Sequence, residues 1–124
     1  MAIDRENYPG VPGDFPIAPV LTAIGGAQPK LSLIQENGMF YAPGTSPSEV
    51  ARAFDLCDDL VPQMAAYCER KLEVFGGDRA ATLRAVYQGL LNKRWCTAEQ
   101  SKWVMRQTVQ KMGWPLVDEL LPKP

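Results

Sequence analysis

Prolines decide most of what the first third of this 124-residue chain can become. Seven of the eleven prolines and six of the ten glycines lie within residues 1–47. Proline removes a backbone donor and fixes φ. Pro9, Pro12, Pro16 and Pro19 therefore exclude both a helix and a central strand between Tyr8 and Pro19. Residues 1–22 are expected to form a proline-rich arm, extended or looped. Its Tyr8, Phe15, Ile17, Val20 and Leu21 suggest packing along a surface, the alternative being a disordered arm.

Residues 23–44 hold a glycine-rich loop and then the strongest short-range signal in the chain. Lys30–Gln35 and Met39–Ala42 flank Glu36-Asn37-Gly38, and Asn-Gly supplies the positive φ angles of a tight hairpin turn. A β-hairpin is expected there, and one this small must pack on other elements to be stable. After Pro43-Gly44 the apolar period changes from two to 3.6. Ser46-Pro47-Ser48-Glu49 reads as a capping box with proline at the first helical position. Val50, Phe54, Cys57, Val61, Met64, Cys68 and Leu72 then form an amphipathic stripe, with Pro62 expected to kink or split the helix near Asp58-Asp59. Gly76-Gly77 ends it. Asp78 can cap a second helix whose inner face is Leu83, Val86, Tyr87, Leu90 and Leu91. Thr97–Gln100 is another capping box, opening a third helix that stops at Gly113. A short turn follows over Leu116–Leu121. The expected class is α+β, mainly α. It is one domain over 1–124, with a bundle of three or four helices in 46–121, one N-terminal β-hairpin and the extended arm.

Composition narrows the chemistry. The chain has no histidine, which removes His-dependent triads, His-ligated metals and His proton shuttles. Its three cysteines, Cys57, Cys68 and Cys96, lack C-x-x-C spacing and cannot all pair. Reduced thiols and no zinc site are expected, with Cys57 and Cys68 as core residues. No apolar run approaches the ~18 residues of a membrane span, and the N-terminus lacks a secretory pattern. A cytoplasmic location and no membrane association are the expectations.

The net charge of −1 conceals asymmetry. Residues 49–78 carry seven acids and three bases, whereas residues 79–111 carry seven bases against Glu99 alone. Such a block points to an acidic partner or nucleic acid, or to an acidic helix lying beside basic ones in the same fold.

Gly25, Gly26, Ala27, Gln28 and Lys30 are candidates for phosphate binding, because backbone amides of a glycine-rich loop can cradle an anion and a lysine can add charge. The segment does not fit G-x-x-x-x-G-K-[ST] and does not open a helix. Gly26-Ala27-Gln28-Pro29-Lys30-Leu31-Ser32-Leu33, then Asn37-Gly38 and Pro43-Gly44-Thr45-Ser46-Pro47-Ser48, resembles the glycine-rich loop and hairpin of HipA-like serine/threonine kinases over residues 24–48. The resemblance implies that Gly26, Ala27, Gln28 and Lys30 face nucleotide phosphates. The family's kinase domain is much longer, and no catalytic Asp loop with a metal-binding Asp motif follows here. A kinase is therefore not expected. The shared hairpin is read as a tight turn.

Asp58-Asp59 and Asp118-Glu119 are adjacent pairs that point about 100° apart on a helix, so neither converges on one reacting atom. The third helix carries the most pointed signal. At 100° per residue, Val104, Met105, Thr108 and Met112 share an inner stripe. Glu99, Lys102, Arg106, Gln107 and Gln110 fall on the other side, with Trp103 among them. An exposed tryptophan ringed by these residues is what an interaction hot spot looks like. The alternative is a helix covered on two sides, by the arm or by Trp95 and Trp114.

Together these features predict a non-catalytic, cytoplasmic protein–protein interaction protein, bacterial and of adaptor, inhibitor or immunity/antitoxin type. It would contact an acidic protein surface through Trp103, Lys102, Arg106, Gln110 and Glu99, with no cofactor or metal, and a homodimer is possible. A phosphate- or nucleotide-binding module is the second expectation. Nucleic-acid binding through 79–111 is the third, weakened because Arg79, Arg84, Lys93 and Arg94 spread around their helix.

Overall fold

A computed structural model describes residues 7–18 and 33–114. In chain order they form β1 (Ile34–Glu36), β2 (Met39–Tyr41), α1 (Pro47–Leu72), α2 (Arg79–Lys93) and α3 (Ala98–Met112). This is the mainly helical class expected, with an antiparallel two-stranded hairpin ahead of three helices. The short turn expected over Leu116–Leu121 and the glycine-rich loop lie outside the described residues. Contacts gather into two compact units, residues 1–54 and 55–124, and the chain passes from one to the other within α1.

In the first unit, Asn37 (φ 52°) and Gly38 (φ 76°) both adopt positive φ, as a two-residue type I′ turn requires. That turn sets the register, pairing Glu36 with Met39 and Ile34 with Tyr41. Glu36 then reaches the start of α1, where its carboxylate accepts from the Ser48 N–H at 3.2 Å and the Ser48 Oγ at 3.1 Å. The Ser46 Oγ accepts from the Glu49 N–H at 3.4 Å and donates to the Glu49 carboxylate at 2.6 Å. Pro47 has no N–H to satisfy, so the first three helical positions are accounted for. The expected capping box forms with one change: Glu49 reaches back to the Gly44 N–H at 2.9 Å.

The described part of the arm, residues 7–18, is looped, with turns closed by Val11 N–H to the Tyr8 carbonyl and Phe15 N–H to the Pro12 carbonyl. Tyr8, Phe15 and Ile17 are buried. The Tyr8 hydroxyl donates to the Thr45 carbonyl, and the Phe15 ring meets Phe54 edge-on at 5.6 Å between centroids. Val20 and Leu21 lie outside the described residues.

The second unit has its core in Cys57, Leu60, Val61, Ala65 and Cys68 of α1, Leu83, Val86, Tyr87 and Leu90 of α2, and Val104, Met105 and Val109 of α3. Its helix ends follow the chain's own signals. The Asp78 side chain accepts from the Ala81 N–H at 3.1 Å. Thr97 and Gln100 exchange both bonds of a capping box. At the end of α3, Gly113 turns left-handed at φ 71° while the Trp114 N–H bonds the Val109 carbonyl. The end of α2 is unusual: its left-handed cap is Arg94, at φ 56°.

One expectation is corrected. Pro62 does not split α1, which runs unbroken from Pro47 to Leu72. Proline removes one intrahelical bond, but the turns on either side bury Leu60, Val61, Ala65 and Cys68. Tertiary burial of an amphipathic face outweighs one local defect. Pro62 itself is exposed. Pro62→Ala should therefore raise stability by about 1–2 kcal/mol, read as a higher urea midpoint at unchanged slope. An unchanged or lowered midpoint would show that the proline costs the helix nothing.

Candidate functional site

The residues expected to meet a partner are not presented together. Trp103 is only 3% exposed. The expected exposed indole is thereby corrected, and the alternative of a helix covered on two sides is the arrangement found. Lys102 and Arg106 are half-buried, while Glu99 and Gln110 are exposed. Lys102 and Glu99 form an ion pair at 3.4 Å. At the surface, one helical turn apart, such a pair contributes little. The polar neighbours of Trp103 on the helical wheel suggested exposure, but long side chains cover apolar surface with their stems. The alternative phosphate-binding set, Gly25, Gly26, Ala27, Gln28 and Lys30, lies outside the described residues.

The exposed apolar surface of the second unit lies elsewhere. The last turns of α1 and the outer side of α2 enclose a hollow of about 260 Å³ lined by Met64, Tyr67, Val86, Gly89, Leu90, Lys93 and Trp95. A second, of about 180 Å³, is lined by Tyr67, Lys71, Val74, Phe75, Ala85 and Val86. Tyr67 and Val86 line both, so the two form one groove. Its rim carries side chains that a soluble fold would ordinarily cover: Val74 is 69% exposed and Trp95 49%, with Tyr67 and Phe75 also open. No carboxylate lines either hollow. Cations do. Lys71 and Arg70 lie 5.5 Å and 5.7 Å from the Tyr67 ring centre, and Lys93 lies 5.6 Å from that of Trp95. Each is within cation–π range, so the aromatic faces sit in positive potential.

Gly89 adds to the case. A glycine inside a helix costs roughly 0.5–1 kcal/mol relative to alanine. Here a Cβ would meet nothing within 4 Å. Packing does not require a glycine at 89, yet its lack of a side chain keeps the floor of the groove open.

A second grouping joins α1 to the connection between α2 and α3. Cys57 is fully buried on α1, and Cys96, half-buried, precedes the Thr97 cap of α3. Their thiols hydrogen-bond, and the Cys96 Sγ also lies 3.2 Å from the Ser101 Oγ. The bond from Cys57 holds the Cys96 thiol down to about 6, against the opposing effect of burial and with help from Ser101. The same bond raises Cys57, as do its burial and the neighbouring negative charge. Cys57 is thus the donor and Cys96 the thiolate. Cys68 stands apart, pushed up to about 11 by burial first and then by Glu69, and behaves as the core residue expected of it.

Sequence reasoning missed Tyr67, Val74, Phe75 and Trp95 because they fall off the 3.6-residue stripes, three of them at or beyond helix ends. A signal was present: Lys93-Arg94 directly precede Trp95, and Arg70-Lys71 follow Tyr67 by one turn.

Among the described residues, no group of three His, Cys, Asp or Glu side chains could hold a metal. No helix among them is long and apolar enough to cross a membrane. Comparison with known proteins finds no matching family, no matching curated protein and no matching solved structure.

Proposed function

We propose that this chain is a non-catalytic protein–protein interaction module, of the adaptor, inhibitor or immunity/antitoxin kind. In this proposal the groove between α1 and α2 receives an apolar segment of a partner flanked by carboxylates. The observation that carries it is the groove itself: exposed Tyr67, Phe75 and Trp95 around a glycine floor, with Lys71 and Lys93 on the lining and no acid among them. Hollows of about 260 Å³ and 180 Å³ fall below the ~300 Å³ lower end of small-molecule pockets. They suit one or two anchoring side chains. Aromatic anchors in such settings supply most of the binding energy, while rim charges select and steer the partner.

Random twelve-residue peptides displayed on phage should, after selection on the full chain, enrich for Leu, Phe or Trp flanked by Asp or Glu. Gly89→Leu fills the groove floor and improves helix propensity, so it should abolish capture without lowering stability. Lys93→Glu should weaken capture about ten-fold, most strongly at low salt. Absence of any enrichment, or enriched peptides that Gly89→Leu still captures, would refute the groove as the site.

A further inference from the structure

We propose that Cys57 and Cys96 form a dithiol site that a hydroperoxide oxidises to an intrachain disulfide, with Cys96 as the attacking sulfur and Cys57 as the resolving one. Nothing in this pair involves the groove residues Tyr67, Gly89 or Lys93.

Three observations carry it. The two thiols touch, Cys57 donating to Cys96. They are unequal in access: Cys57 is 0% exposed, whereas Cys96 is half-buried and open to a small oxidant. Cys96 also has local support as a thiolate, from the Ser101 hydroxyl at 3.2 Å and from its place directly ahead of the Thr97 cap of α3. A helix N-terminus favours negative charge, and thiolate character together with access selects which cysteine reacts. Bond formation also needs movement, because a disulfide is far shorter than a thiol–thiol contact. Cys96 lies in the non-helical link between α2 and α3, where the backbone can yield, while Cys57 stays fixed on α1.

The chemistry balances in two steps. The Cys96 thiolate attacks the terminal oxygen of the hydroperoxide. The O–O bond breaks, the alcohol (or water, from hydrogen peroxide) leaves with one proton, and Cys96 becomes a sulfenic acid. Cys57 sulfur then attacks the Cys96 sulfur. The S–O bond breaks, and hydroxide leaves as water with the Cys57 proton. Two thiols are oxidised by two electrons, and one peroxide is reduced by two.

The test uses the reduced full chain and hydrogen peroxide. Titratable thiols should fall from three, the full cysteine complement, to one, with no dimer on non-reducing gels. Peptide mapping should recover a Cys57–Cys96 cross-link and a free Cys68. Cys68→Ala should still lose two thiols. Cys96→Ser should lose none, while Cys57→Ala should stop at a sulfenic acid on Cys96 that dimedone traps. If Cys57→Ala fails to fold, brief peroxide treatment of the unsubstituted chain with dimedone present should label Cys96 and not Cys68. Three surviving thiols, a cross-link to Cys68, or a disulfide between two chains would overturn the proposal.

Discussion

Trp103→Ala is expected to destabilise the helical unit by about 3–5 kcal/mol, the largest loss from any single truncation on α3. The indole is 3% exposed, and Val104 and Met105 beside it are fully buried. Removing it withdraws a large aromatic surface from a closed interior and leaves a cavity that its neighbours fill only in part. Small domains are stable by only about 5–15 kcal/mol, so the variant should unfold at a much lower urea concentration or be partly unfolded without denaturant. Gln110→Ala, on the exposed strip of the same helix, should stay within roughly ±0.5 kcal/mol. Equal, small effects for both would mean that the indole is a surface group after all.

The contrast between Trp103 and its wheel position shows where sequence becomes insufficient. A 3.6-residue period locates one buried stripe, and it did so for Val104, Met105 and Thr108. It cannot register a second element covering the flank, because that cover comes from residues distant in sequence. Signals that depend only on neighbours in the chain were fully legible. Asn37-Gly38 dictated the hairpin turn and its register, Thr97 and Gln100 the start of α3, Asp78 the start of α2, and Gly113 the end of α3. The Ser46 cap was legible too, but its link to the hairpin through Glu36 was not, since that contact spans separate elements. Arg94 was illegible for another reason. Left-handed backbone is cheap for glycine and costly for arginine, so nothing in the residue type marks the end of α2.

The groove and the thiol pair divide along the same line. Cys57 was legible as a core residue from its stripe, but its bond to Cys96 depends on how the α2–α3 connection returns to α1. Tyr67, Phe75 and Trp95 belong to no stripe, and aromatic residues at helix ends are equally compatible with burial under a loop. Only the packed unit shows them open, in the company of Lys71 and Lys93. The basic block over 79–111, which pointed to an acidic partner from sequence, contributes Lys93 to this groove rather than to a surface around Trp103.

Phe15→Ala should cost about 3–5 kcal/mol as well, and it decides the standing of the arm. Phe15 is 1% exposed, its ring meets Phe54 edge-on at 5.6 Å, and Tyr8 and Ile17 are buried on the same looped segment. A proline-rich stretch has little intrinsic structure. Its order must come from the burial of these three side chains and from the Tyr8 hydroxyl bond to the Thr45 carbonyl, which ties the arm to the turn before α1. Pro9, Pro12 and Pro16 lower the conformational entropy lost when the arm is laid down, so few anchors suffice and each carries a large share. Amide exchange reads the result directly. In the unsubstituted chain the Val11 and Phe15 amides, which close the two turns, should be protected. In Phe15→Ala, protection should be lost at Val11 and at residue 15, while the Thr97–Gln100 cap of α3 keeps its own. A disordered arm predicts the opposite: no protection at Val11 or Phe15 before substitution, and a stability change within roughly ±0.5 kcal/mol after it.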